Sequence, residues 1–324
     1  MKSKLLEAIA AMFLATLLLG CANRPPVEIS DTFAYPSRFD MAEVPFFPQQ
    51  PLHCGPAALA TVLVYYQRNV TPDSLAAFLF TPGAKGTYAL DMAASVRREG
   101  LIPFPAPSEL ESLLSLTAQG WPSIHLMNLG FSRLPKWHYA VLVGYDLEKG
   151  AVLMRSGKDR LRWYSFYHFQ RSRALADYWS IIPAPVTSVP QLNNWLDAYA
   201  AIVDFEQVHP ESVEAAWRSA TSVYPTQWQF PFAWGNHLWS TGNFSAAEQA
   251  YRAGLERAPN LAKLWNNIGY AFHSQTCFEQ AQSAIHCAMA LEPLEAEWQS
   301  SVIELSGESQ GSQCLPLLTC PAIQ

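Results

Sequence analysis

Prolines stand at positions 225, 259 and 293, two successive intervals of 34 residues, in the second half of a 324-residue chain. A fixed spacing of that length means that one unit, a pair of antiparallel helices, repeats and stacks on itself. Trp234, Gly235, Leu238, Ala247, Tyr251 and Gly254 precede Pro259 at the offsets at which Ile268, Gly269, Phe272, Ala281, Ile285 and Ala288 precede Pro293. Farther upstream only Trp217, Ala220 and Pro225 keep the pattern, so Gln191 to Pro225 reads as a degenerate capping pair. Small residues let the two helices of a hairpin approach, and aromatic ones fill the gap to the next. Three hairpins are near the minimum for a stable stack.

The first half shows no such period. Half of the chain is apolar, 13% aromatic and 15% charged, which excludes disorder as the main state, and the length allows about two domains. The formal charge is -6, with the basic residues scattered, which speaks against nucleic acid as a partner. Lys2 and Lys4 precede an apolar run from Ala8 to Leu19, too short to span a bilayer as a helix but suited to a secretory signal, with Glu7 as a departure from the pattern. The run ends Leu18-Leu19-Gly20-Cys21, which resembles the bacterial lipobox. That resemblance implies lipidation of Cys21, a membrane anchor and a place in the cell envelope. Ala22 after it favours the periplasmic face of the outer membrane. Pro25, Pro26 and Pro36 and the lack of any apolar period make the stretch to Met41 a tether.

Chemistry concentrates around one cysteine. In Gln49-Gln50-Pro51-Leu52-His53-Cys54-Gly55-Pro56, the proline fits a first helical turn, and Ala57 to Tyr66 is apolar nearly all round. Cys54 therefore sits at a helix start, where orphan amides and the positive dipole end favour a thiolate. Gln49, or its neighbour Gln50, can offer a side-chain amide to a developing oxyanion. The base is His138, which opens a core strand over Tyr139 to Val143. A turn closed by Gly150 returns the chain as a second strand over Ala151 to Arg155. His53 faces away from its neighbour, and His125 lies on a core strand as a structural residue. No His or Cys pair has the spacing of a zinc ligand set and no phosphate loop appears, so no cofactor is expected.

Together, Val-Pro-x-x-x-Gln from Val44, Cys-Gly-Pro-Ala-Ala-Leu-Ala from Cys54 and His-Tyr-Ala-Val-Leu-Val-Gly-Tyr-Asp from His138 resemble the papain-like cysteine peptidases related to bacteriocin leader-processing peptidases. The resemblance implies a papain-like α+β fold, helices first and an antiparallel sheet after. It casts Cys54 as nucleophile, His138 as base and Gln49 as oxyanion donor. The family's orienting Asp is missing. With period-2 alternation Ser156 stands in its place, Asp159 is the other candidate, and Asp146 lies at the far end of the hairpin. The repeat positions in the second half resemble those of tetratricopeptide repeats.

The expectation is thus an α+β papain-like cysteine peptidase domain followed by an all-α tetratricopeptide-repeat array. It divides into a lipoprotein signal peptide over 1–20, a tether over 21–41, the peptidase domain over 42–184 and a linker over 185–191. Helical repeats over 192–300 and a Cys-containing tail over 301–324 complete it. The expected function is hydrolysis of a peptide or amide bond in an envelope lipoprotein, on a peptide or protein substrate, with the repeat groove open to a protein partner. Two alternatives stand beside it: a non-catalytic papain-like adaptor or scaffold, and a thiol acyl transferase. Of the six cysteines, Cys277, Cys287, Cys314 and Cys320 are expected to pair in an oxidising compartment. Cys277 and Cys287 lie too far apart along one helix to bond each other, and the sequence leaves the pairing open.

Overall fold

β4 (Trp137–Asp146) is the spine of the first half, and the elements around it are placed by which of its faces they cover. The computed structural model describes residues 27, 29–84, 86–307, 314–316 and 319–322. The expected signal peptide and Cys21 lie outside them. Before β4 come β1 (Arg38–Asp40), α1 (Cys54–Tyr65), α2 (Pro72–Leu79), α3 (Ala89–Arg98), β2 (Leu101–Pro105), α4 (Leu110–Ala118) and β3 (Ser123–Asn128). After it come β5 (Ala151–Ser156), β6 (Asp159–Ser165), α5 (Phe166–Ala174) and β7 (Ser180–Pro185). The strands form one sheet in the order β2-β7-β3-β4-β5-β6, antiparallel throughout, with β1 added beside β4.

Both faces of this sheet are covered, which is why β4 reads as a continuous apolar run. Tyr139, Val141 and Val143 face α1, packing with Leu59, Val62 and Leu63. Ala140, Leu142 and Tyr145 face α4 and α5, against Leu110, Leu113, Leu114, Phe166 and Phe169. A register shift against β5 between Leu142 and Gly144 lets Val143 turn its carbonyl to the amide of Met41 at 2.8 Å. Gly144 is required there because a Cβ would run into the carbonyl of Phe39. The stretch expected as a tether is therefore structured from the first described residues. Val27, Ile29 and Phe33 pack against the second core, and β1 pairs Arg38 with Asp146. Its alternation of Phe33, Tyr35 and Phe39 supplies the apolar anchors that the prolines obscured.

The second half is helical: α6 (Trp195–Glu206), α7 (Glu214–Val223), α8 (Gln229–Ser240), α9 (Phe244–Arg257), α10 (Ala262–Ser274), α11 (Phe278–Leu291) and α12 (Ala296–Glu304). The 34-residue period is written in the backbone as well as the sequence. The residues ending α7, α9 and α11 (Tyr224, Ala258, Glu292) share nearly the same φ and ψ, -117/69, -139/70 and -134/74. Each precedes one of the periodic prolines, as the restriction on a residue before proline demands. Trp217, Tyr251 and Ile285, one period apart, are all buried.

The joint between halves is packed rather than loose. α6 covers β2 and β7, burying Ala198, Ile202 and Phe205 against Ile102, Phe104, Ile182 and Ala184. The expected linker carries buried Val189, and Tyr224 donates its hydroxyl to Pro190 O at 3.1 Å while accepting the amide of Leu192 at 2.7 Å. The tail returns to the last full hairpin through two disulfides, Cys277–Cys314 and Cys287–Cys320.

Candidate active site

β4 begins four residues before its pairing with β5, and that overhang makes the site. Tyr139 pairs with Leu126 on one side, whereas pairing with β5 starts at Val141. In an antiparallel ladder both polar groups of one residue point the same way, so the N–H and C=O of Tyr139 are left over for other partners. The Cys54 sulfur takes the N–H, and Gln49 Nε2 donates to the C=O at 3.1 Å.

Cys54 is where the sequence reading puts it, at the first position of α1, half-buried and unbridged, with Pro56 in the first turn and no acidic residue there. Besides Tyr139, the amides of Gly55 and of Cys54 itself face the sulfur. Gly55 is the only residue that fits beside it, because an added Cβ would sit 2.7 Å from Thr87 Cβ. Leu52, at φ 67, takes the left-handed conformation that turns the proline-rich approach into the helix, a costly choice for a branched residue.

His138 lies at the half-buried mouth end of β4, next to Tyr139. Its Nε2 stands 2.8 Å from Ser156 Oγ, and Ser156 in turn stands 3.3 Å from the Tyr164 hydroxyl on β6. Ser156 is the residue aligned with the ring, whereas Asp159 turns outward to Arg162 at 3.3 Å. Asp146 occupies the far end, with Lys149 at 3.4 Å and Arg38 at 4.0 Å. Gln49 is clamped from both ends: its Oε1 accepts the amide of Gly157 at 3.0 Å and its backbone N–H donates to Gly157 O at 2.8 Å. Gln50 is exposed, which leaves Gln49 as the amide at the site.

The electrostatics depart from the helix-start expectation of a ready thiolate. Burial pushes the Cys54 thiol above its ordinary range, and the amides of Tyr139, Gly55 and Cys54 offset this in part. Burial, with Lys136 nearby, pushes the His138 imidazole down to about 4. Both groups are therefore neutral near pH 7. With Ser156 on Nε2, the ring's Nδ1 is the nitrogen left to exchange a proton.

His53 lies edge-on to Phe80, away from the thiol. His125 is fully buried, held by Ser123 Oγ at 2.8 Å and packed on Phe169, with its pKa driven down by burial. No group of His, Cys, Asp and Glu able to hold a metal ion occurs among the described residues. Two contributors escape the sequence reading. Tyr164 sits on a strand whose only signal is the Gly157 turn (φ 64) before it. Arg155, buried on β5, donates to Val44 O and Met41 O at 3.3 and 3.1 Å and pins the segment that leads to Gln49.

A C39-like peptidase from Bacillus anthracis shares 16% identity over 45% of this chain and 97% of its own, at a TM-score of 0.40. The peptidase domain of Streptococcus ComA, an ABC transporter of a quorum-sensing pathway, shares 23% identity over 44% of this chain and 98% of its own, at 0.35. The first TPR of Spaghetti (RPAP3), bound to an HSP90 peptide, shares 15% identity over 34% of this chain and 89% of its own, at 0.32. No curated protein matches the sequence. Residues 41–172, which run from before Gln49 to beyond β6, match the model described as Peptidase_C39 like family, and it is to that family that this part of the chain is similar.

Proposed function

We propose that the protein is a cysteine peptidase that cleaves a peptide or amide bond, with Cys54 as nucleophile and His138 as base. The observation that carries this reading is the convergence of Cys54 and Gln49 on the backbone of Tyr139, the residue after His138. With Nε2–H donating to Ser156, Nδ1 takes the thiol proton as sulfur attacks the carbonyl carbon. The oxyanion falls to the Cys54 amide and the second hydrogen of Gln49 Nε2. The imidazolium returns its proton to the departing amine, and water, deprotonated by the same ring, releases the acid and restores the thiol. Because the imidazole starts neutral, proton transfer accompanies attack, as in serine enzymes, instead of preceding it.

In this reading Cys21 carries the lipid that holds the protein to the envelope, residues 42–184 are the peptidase and the tetratricopeptide-like helices after it bind a partner or substrate. The adaptor reading has one observation in its favour: Ser156 supplies no charge to stabilise an imidazolium. Digestion of a proteome-derived peptide library separates the two. New termini that vanish in both Cys54→Ala and His138→Ala are the expected result. No Cys54-dependent terminus would leave the adaptor. An added amine acceptor that captures the acyl group as an amide would make the enzyme a transferase.

A further inference from the structure

The helical array carries a second concave site that the peptidase chemistry does not use. Between α8, α10 and α12 lies a cavity of about 370 Å³ lined by Asn236, Trp239, Tyr251, Asn266, Tyr270 and Glu297. Asn236 also borders the adjoining cavity of about 290 Å³, where Glu206 meets His237 at 2.8 Å and the Trp217 indole at 3.0 Å. Among the described residues, no Lys or Arg lines either cavity. The Lys and Arg side chains of α9 and α10 are engaged elsewhere: Lys263 over Trp228, Arg252 on Glu248 and Arg257 on Pro225 O.

Three features of the larger cavity point to one kind of guest. It presents aromatic surface, with Trp239 40% exposed and its ring edge-on to Tyr270 at 6.2 Å. It is electronegative: Glu297 is exposed at its rim, and Tyr270 donates to Glu304 at 2.6 Å. After burial, it is the bond to Glu304 and the fields of Glu304 and Glu297 that raise the Tyr270 phenol. It also holds an acceptor without a donor, since Asn266 is 4% exposed and its Oδ1 has no hydrogen-bond partner among the described residues. Asn236 Oδ1, by contrast, already accepts from Tyr251 at 2.8 Å and Asn267 at 2.9 Å. Carboxylate, aromatic face and an unmatched acceptor together suit a cation that carries several N–H donors.

We propose that this cavity receives a basic side chain, arginine above lysine, of an extended peptide lying along the concave face of the helical array. The planar guanidinium can stack on Trp239 while its N–H groups serve Glu297 and Asn266, which a compact ammonium cannot do together. The proposal deepens the partner-binding part of the functional reading and is independent of cleavage.

The test is calorimetric titration of the full chain, carrying Cys54→Ala so that nothing is cut, at low salt. The probe is a blocked hexapeptide of glycine and serine with two arginines, beside its citrulline and glutamate counterparts. The arginine peptide should bind at least about tenfold more tightly than the neutral citrulline one, weaken as salt rises, and lose that advantage in Glu297→Gln and in Trp239→Ala. Glu297 is exposed, so its variant keeps the fold even where Trp239→Ala lowers the melting temperature. Equal affinity for arginine and citrulline, an arginine preference that survives Glu297→Gln, or no binding would overturn the proposal. None of these outcomes touches the peptidase reading, which rests on Cys54-dependent cleavage.

Discussion

A hydroxyl cannot do for a protonated imidazole what a carboxylate does, and the consequences fall on single residues. With His138 at about 4 and Cys54 above its ordinary range, the proton count needed for attack persists across a wide interval. The kcat/KM profile should be flat from about pH 5 to 9, with its acid limb near 4, and alkylation of Cys54 by iodoacetamide should be slow at neutral pH and rise only in alkali. Ser156→Asp should move the acid limb up by a unit or more and speed alkylation at pH 6, since a buried carboxylate favours the charged ring. Ser156→Ala should lower kcat/KM about tenfold, the worth of one hydrogen bond. A profile indifferent to both changes would detach Ser156 from the site. The depressed imidazoles also act on stability. The native pKa values of His138 and His125 lie below the unfolded value of about 6.5. Above that value both states are neutral, and as pH falls towards 4 the unfolded chain gains protons that the native one refuses. The melting temperature should fall by several degrees over that range, and less so in His138→Gln. Cys54, His138 and Gln49 were legible because each stands in a local pattern. Tyr164 was not, because its contact with Ser156 depends on the β5–β6 pairing, which no spacing encodes.

Among elements, the helical hairpins show how closely a period in sequence can match one in space. Gly235 faces the ring of Tyr251, where an added Cβ would come within 2.5 Å of ring carbon, so the α8–α9 approach depends on the missing side chain. Gly235→Ala should destabilise the array by about 1–3 kcal/mol in urea unfolding, whereas the same change at exposed, unobstructed Gly83 should cost far less. The sheet was harder to read. The β4–β5 hairpin follows from its alternation and the Gly150 turn (φ 57), but β1 is three residues long and acquires its identity only from Gly144 across from it. β2 and β7 carry prolines, which argue against strands in a sequence. β2 pairs only with β7, which joins it to β3, and helix α6, the first of the degenerate capping pair, covers them both.

Across the molecule, sheet and array meet through α6, and a polar clasp reinforces the seam. Arg97 on α3 bonds Asp204 at 2.8 Å, and the Arg97 carbonyl meets His209 Nε2 at the same distance. The disulfides sit elsewhere, on the last full hairpin, each closing a loop of more than thirty residues and contributing about 3–4 kcal/mol by restricting the unfolded chain. Dithiothreitol should therefore lower the melting of the array while sparing Cys54-dependent cleavage, read by calorimetry and peptide turnover on one sample. Loss of both together would mean that the sheet cannot stand without the array. The four cysteines and the exclusion of one pairing could be read from spacing; the choice among the rest required the tail to be traced back onto α11. That arrangement sets a problem of timing. If the chain is exported as proposed, the thiol at 54 emerges more than two hundred residues ahead of the four that will be bridged, and oxidants meet it first. Only if the helix it begins has already settled against its strand does the sulfur escape capture by a latecomer. Oxidative refolding without a disulfide isomerase, with a destabilised α1 as the comparison, should show mispaired species gathering at that early thiol only in the destabilised variant.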